Sequence, residues 1–115
     1  MIAAELQKIG INMSIKELPF TKWLVYDSGP KTYGNIYLND NEIYADPSSH
    51  VDADLGSWNI PAGHFNDSGW STPQLDDLIT AGDSTINRSK RLTIYGNITR
   101  IVANSATWLP LFVPG

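Results

Sequence analysis

Two helix starts, written out in full, constrain this chain more than anything else in it. Tyr44-Ala45-Asp46-Pro47 leads into Ser48-Ser49-His50-Val51, and Gly69-Trp70-Ser71-Thr72-Pro73 leads into Gln74-Leu75-Asp76-Asp77-Leu78-Ile79. Asp46 and Thr72 bring side-chain oxygens to the backbone N–H groups that a first helical turn leaves without acceptors. Pro47 and Pro73 stand at the first helical position, where a missing N–H costs nothing and the fixed φ suits the turn. The span from Leu55 to Ser71 carries Gly56, Trp58, Pro61, Gly63, His64, Phe65, Asn66, Gly69 and Trp70. It is too polar for core and too aromatic for a plain linker, and a long stretch without regular structure is often functional. Function is therefore expected here or close by.

The other segments read as an α/β scaffold. Ile2, Leu6 and Ile9 share a helical face that Gly10 ends. No capping residue precedes that helix, which suggests a piece of a longer chain. Ile11-Asn12-Met13-Ser14-Ile15-Lys16-Glu17 alternates strictly and predicts a half-buried strand broken by Pro19. Phe20, Trp23, Leu24 and Tyr26 predict a short helix closed by Ser28-Gly29-Pro30, with Trp23 as core. A second strand is expected over Gly34-Asn35-Ile36-Tyr37-Leu38, followed by the polar run Asn39 to Tyr44. Residues just past the carboxyl end of such a strand are where open α/β sheets bind ligands.

After the aromatic loop, a helix is expected from Pro73 to about Ala81, with Leu75, Leu78 and Ile79 inward and Gly82 as its stop. The last helix is expected from about Ser89 to Ser105, with Leu92, Ile94, Tyr95, Ile98, Ile101 and Val102 as its apolar stripe. Arg88, Lys90 and Arg91 at its front oppose the helix dipole unless acidic neighbours sit beside them. The extended apolar tail Trp108-Leu109-Pro110-Leu111-Phe112-Val113 must pair with something, since left exposed it invites aggregation.

At 115 residues the chain is at most one domain. No apolar run is long enough to span a bilayer, and no basic segment follows Met1 as a secretory signal would require. With no cysteine there is no disulfide framework, thiolate metal site or cysteine nucleophile. The formal charge is −4, and no Lys or Arg occurs between Lys31 and Arg88. That interval holds Asp40, Glu42, Asp46, Asp52, Asp54, Asp67, Asp76, Asp77 and Asp83, a distribution that would repel a phosphate backbone, so no nucleic-acid partner is expected.

Catalytic constellations are weak. His50 and His64 are the only histidines and do not stand at i, i+4, so no metal site is expected. Asp52-Ala53-Asp54-Leu55-Gly56 resembles the start of a calcium loop but lacks its terminal Glu. No nucleophile elbow and no phosphate-cradling Gly loop is present, and pairing Asp46 with Asp54 or Asp67 is thin ground for a glycosidase. The chain is expected not to be an enzyme and to need no cofactor. The sequons at Asn12, Asn66, Asn87 and Asn97 read as unused. Ligand binding by stacking is what remains: Tyr44, Trp58, Phe65 and Trp70 flank or lie in the Gly/Asn/Asp-rich loop. Trp58 divides evenly between a ligand wall and a loop anchor, and Trp70, next to the helix cap, is expected to anchor.

The order of elements resembles the family 5 solute-binding proteins of ABC transporters, the oligopeptide, dipeptide and nickel group. The resemblance is carried by Leu6-Gln7-Lys8-Ile9-Gly10-Ile11 with the alternating Met13-Ser14-Ile15-Lys16, and by the Asp46-Pro47 step. Trp70-Ser71-Thr72-Pro73-Gln74-Leu75-Asp76-Asp77-Leu78-Ile79, Arg91-Leu92-Thr93-Ile94-Tyr95 and Leu109-Pro110-Leu111-Phe112 carry the rest. It runs nearly the whole length, and its specificity lies in the set of motifs together.

The resemblance implies a two-lobed periplasmic-binding-protein fold (type II-like), of which residues 1–115 would be one fragment of the C-terminal lobe, helices packed on a small mixed sheet. The tail 107–115 would return toward a missing main lobe. It further implies an extracytoplasmic receptor, periplasmic or on the extracellular face, secreted or lipid-anchored. Such a receptor captures a peptide, sugar or other small solute and delivers it to a membrane permease. In the family's peptide-binding members an Asp three residues before the Asp-Pro step pairs with the ligand's amino group. The matching position here is Ile43, which argues against a standard peptide amine site and favours a sugar or another small solute. The residues expected to face the ligand are Asp40, Asn41, Ile43, Tyr44 and Trp58. Asp40 and Asn41 would hydrogen-bond, and Ile43, Tyr44 and Trp58 would form the apolar wall. The alternatives are a carbohydrate-acting enzyme module using the loop carboxylates and a protein-interaction domain using the apolar tail.

Overall fold

Asp46 Oδ1 accepts from the Ser48 N–H at 2.9 Å and Thr72 Oγ1 from the Leu75 N–H at 3.1 Å, so both helix starts are capped by their own side chains. The computed structural model describes residues 2–27 and 45–111. They form α1 (Ile2–Lys8), α2 (Phe20–Asp27), α3 (Pro47–Leu55), α4 (Pro73–Ser84) and α5 (Arg88–Ser105), with a 3-10 turn at Ser57–Asn59 between α3 and α4.

The fold is helical, which corrects the expected α/β fold with helices on a mixed sheet. No strand occurs among the described residues. The alternating stretch 11–17 is irregular, and Ile15 within it is 71% exposed. Alternation creates one apolar edge but supplies no partner for the backbone, and without a neighbouring strand the ladder bonds cannot form. The second expected strand, 34–38, lies outside the described residues.

The core is a three-helix junction. Leu55 at the end of α3, Leu75 and Ile79 on α4 and Ile98 on α5 are buried, and Val51, Trp70, Leu78, Ile94, Tyr95, Ile101, Val102 and Trp108 pack around them. The 3.6-residue period places Ile94, Tyr95, Ile98, Ile101 and Val102 on one face of α5. Leu92 falls off that face and is 65% exposed. Gly82 does not stop α4, which continues to Ser84. It sits inside the helix where a Cβ would lie 3.1 Å from the Tyr95 ring, so its small size sets how closely α4 and α5 approach.

α1 ends in a Schellman motif: the Ile11 N–H donates to the Leu6 carbonyl at 3.0 Å, the Gly10 N–H to Gln7 at 3.0 Å, and Gly10 takes φ +84°. Among the described residues, α1 and α2 make at most marginal contact with the other helices. Trp23 is half-buried and stacks on Phe20 with ring centroids 5.7 Å apart, outside the buried cluster that its spacing suggested. In the tail, Trp108 packs on the core while Leu109 and Leu111 are exposed.

Candidate functional site

Of the residues expected to face a ligand, Asp40, Asn41, Ile43 and Tyr44 lie outside the described residues, and Trp58 lies within them. Trp58 is in the 3-10 turn that follows α3. Its indole N–H donates to Asp52 Oδ1 at 3.1 Å. The six-membered ring lies against Gly56, where a Cβ would come within 2.5 Å of Trp58 Cε2 and 2.7 Å of Cζ2. No other residue would fit beneath it. The ring is thus held to the end of α3 and still keeps 43% of the residue's surface open. Both of the roles weighed for Trp58 are compatible with this placement. Trp70, by contrast, is packed against the core.

Around Trp58 the loop is polar and ordered by side chains. Asn59 Nδ2 donates to the Asp52 carbonyl at 2.8 Å, and Asn59 Oδ1 lies 3.2 Å from His64 Nδ1. The organising residue of the loop is Asn66, which is fully buried. Its amide donates to the Gly56 carbonyl at 3.1 Å and the Trp70 carbonyl at 3.0 Å, while its Oδ1 accepts from Ser68 Oγ at 2.7 Å. Its backbone N–H donates to the Asn59 carbonyl at 3.0 Å. The loop's front, middle and back are therefore joined through one side chain. In the sequence Asn66 was one polar loop residue among several.

Asp76 ties the turn to α4. Its Oδ1 accepts from the Ser57 N–H at 3.0 Å and from Ser71 Oγ at 2.9 Å. Burial alone would raise its pKa, but the hydrogen bonds from Ser57 and Ser71 outweigh that and hold it below the usual carboxylate range. An open cleft of about 330 Å³ lies here, lined by Ser57, Ile60, Trp70, Ser71, Thr72 and Asp76 among others. In the sequence Asp76 stands as one acid among the nine between Lys31 and Arg88. Its bond to Ser57 spans the whole loop, which no local pattern reveals.

A second charged cluster joins α3, α4 and α5. Arg91 Nη1 and Nη2 donate to Asp46 Oδ2 and Oδ1 at 2.9 and 2.7 Å, and Arg91 Nε donates to the Gly82 carbonyl at 3.1 Å. The guanidinium also stands 5.0 Å from the centre of the Tyr95 ring. Tyr95 Oη donates to Asp83 Oδ1 at 3.3 Å. The Arg91 bonds, with the Ser48 N–H, hold Asp46 far below the usual carboxylate range, and Asp46 in turn raises Arg91. This acidic neighbour offsets the cost of a cation at the front of α5.

Among the described residues no three His, Cys, Asp or Glu side chains come together as metal ligands would. His50 pairs with Asp54 one turn along α3, Nδ1 to Oδ2 at 3.4 Å. No helix among them is long and apolar enough to cross a membrane. Comparison with protein-family models, with curated proteins and with solved structures finds no match to this chain.

Proposed function

We propose that this chain is a helical portion of an extracytoplasmic solute-binding receptor of an ABC importer, which captures a small solute without transforming it. The receptor would be secreted or lipid-anchored and would hand its ligand to a membrane permease. What carries the reading is the meeting of stretches that resemble the family's motifs. Asp46 of the Asp-Pro step, and Arg91 and Tyr95 of the Arg-Leu-Thr-Ile-Tyr run, join in one hydrogen-bonded cluster. Leu75 and Ile79 of the Trp70-to-Ile79 stretch form half of the buried core beside it. Such a cluster fixes the helix start that follows Asp40, Asn41, Ile43 and Tyr44, the residues proposed to face the solute together with Trp58.

The exposed apolar residues Ile9, Ile15, Phe20, Val25 and Leu109 favour a second reading, a module that docks on other protein. The two separate by measurement. Thermal denaturation of the receptor polypeptide carrying this segment should shift upward with members of a panel of di- and tripeptides and di- and trisaccharides. No shift with any of them, together with turnover of an aryl glycoside, would sink the receptor reading in favour of an enzyme. No shift and no turnover, with stable association to another protein, would favour the docking module.

A further inference from the structure

Trp58 combines three properties that rarely coincide on a surface. The ring is fixed from below by the Gly56 backbone, where a Cβ would sit 2.5 Å from Cε2. Its edge is fixed by the 3.1 Å bond from the indole N–H to Asp52 Oδ1. A large share of the residue is nevertheless open to solvent, at 43%. An anchor that served only to hold the loop would bury its ring. The loop here is already held by Asn66 and by the Asp76 bonds to Ser57 and Ser71.

We propose that Trp58 is a stacking platform for the apolar face of a sugar ring, with Asp52 and Gly56 as the residues that position it. This rests on the receptor reading above and names its ligand class. A ring whose two torsions are set before binding loses little entropy when a flat partner lands on it. Asp52 Oδ1 is occupied by the indole, and Oδ2 is the second acceptor of the same carboxylate. That oxygen can accept from a sugar hydroxyl beside the stacked face, and the linked Asn59 and His64 add polar groups from the same loop.

The charge pattern narrows the class. The absence of Lys and Arg between Lys31 and Arg88 disfavours phosphorylated or carboxylated ligands. Quaternary ammonium ligands are gripped by cages of several aromatic rings, and a single open ring is not a cage. A neutral polyhydroxylated ring fits both the apolar platform and its acceptor-rich edge.

The test titrates the protein with cellobiose, maltose and lactose while following tryptophan fluorescence, with trialanine and choline in parallel. Trp58→Ala, Asp52→Ala and Asp52→Asn are compared, each checked by far-UV circular dichroism for unchanged helix content. A saccharide should change the emission of the native protein, and Trp58→Ala should abolish that change. Asp52→Ala should weaken binding by about tenfold, within the range expected for losing an oriented aromatic contact. Asp52→Asn, whose amide oxygen still accepts from the indole, should weaken it less, and both Asp52 variants should keep the native melting temperature, a split between affinity and stability that a purely structural role would not produce. A saccharide response undiminished in Trp58→Ala, or native affinity in Asp52→Ala, overturns the proposal. So does silence to all three saccharides. In that case a response to trialanine or choline leaves the receptor reading standing with another ligand class, and silence to every probe removes both.

Discussion

Arg91 grips both carboxylate oxygens of Asp46 from 45 residues away in sequence, through bonds of 2.9 and 2.7 Å. Asp46 is at the same time the N-cap of α3, accepting from the Ser48 N–H with the Oδ1 that Arg91 Nη2 also reaches. Cap and clamp are one group, so the direction in which α3 leaves the junction is set by α5.

Arg91→Lys should lower the melting temperature, although the charge is kept. A lysine ammonium cannot reproduce the planar fork across two carboxylate oxygens together with the bond from Nε to the Gly82 carbonyl. A double-mutant cycle with Asp46→Asn should show non-additive losses, since both substitutions remove the same contact. Additive losses in the urea-unfolding cycle would mean that the clamp contributes nothing of its own.

Acid should unfold the protein partly through the same carboxylate. The Asp46 pKa is depressed in the fold, first by the Arg91 bonds and then by the Ser48 N–H. A depressed folded value means that the ionised form is favoured by folding. Its contribution is present above the unfolded value of about 3.9 and is lost as pH falls through the lower folded value. Asp76 adds to this with the same sign. Melting curves from pH 7 down to pH 2 should show Asp46→Asn less stable than the native chain near neutrality, with the gap closing below about pH 4. A gap of constant size across that range would show that the stabilisation does not depend on ionised Asp46.

Much of the helical frame was legible because its signals are local. Asp46-Pro47 and Thr72-Pro73 cap where they were expected to, and the period of α4 places Leu75, Leu78 and Ile79 inward. The sheet was not legible, because alternation at Ile11, Met13 and Ile15 describes an edge without saying whether a partner exists. The role of Gly82 was not legible either, because glycine serves both as a helix stop and as a close-contact residue, and only the Tyr95 ring across from it decides which. Trp58 could be singled out as an aromatic in a polar loop. Its supports could not, since Asp52 was one acid among many and Gly56 one glycine among several until the ring was placed between them.

Asn66 should be the most sensitive position in the loop. Its amide N–H₂ donates to two carbonyls in a fully buried setting, so Asn66→Ala leaves the Gly56 carbonyl with only the Asn59 N–H at 3.1 Å and the Trp70 carbonyl with only Ser68 Oγ at 3.5 Å, and should cost roughly 1–3 kcal/mol. Asn66→Asp is nearly isosteric but, ionised, presents an acceptor to two acceptors, and at pH 7 it should be worse than alanine. Near pH 4 the aspartate should recover part of the loss, because protonation restores one donor. Urea unfolding at the two pH values distinguishes this from a simple packing role, in which aspartate would outperform alanine at both.

Ala106 offers the converse test, a substitution that should stabilise. It follows α5 with φ +54° and ψ +19°, the left-handed conformation that glycine adopts without strain and alanine does not. Ala106→Gly removes a steric cost of about 1–2 kcal/mol. Part of that gain is offset because glycine makes the unfolded chain freer, by roughly 0.5–1 kcal/mol. A net stabilisation of about 0.5–1 kcal/mol is expected, a rise of a few degrees in melting temperature for a chain of this size. A β-branched residue enlarges the clash, so Ala106→Val should shift the midpoint the opposite way. The pair of signs is the discriminating result. If both substitutions lower the melting temperature, the end of α5 is held by the packing of Trp108 on the core and not by the turn that precedes it.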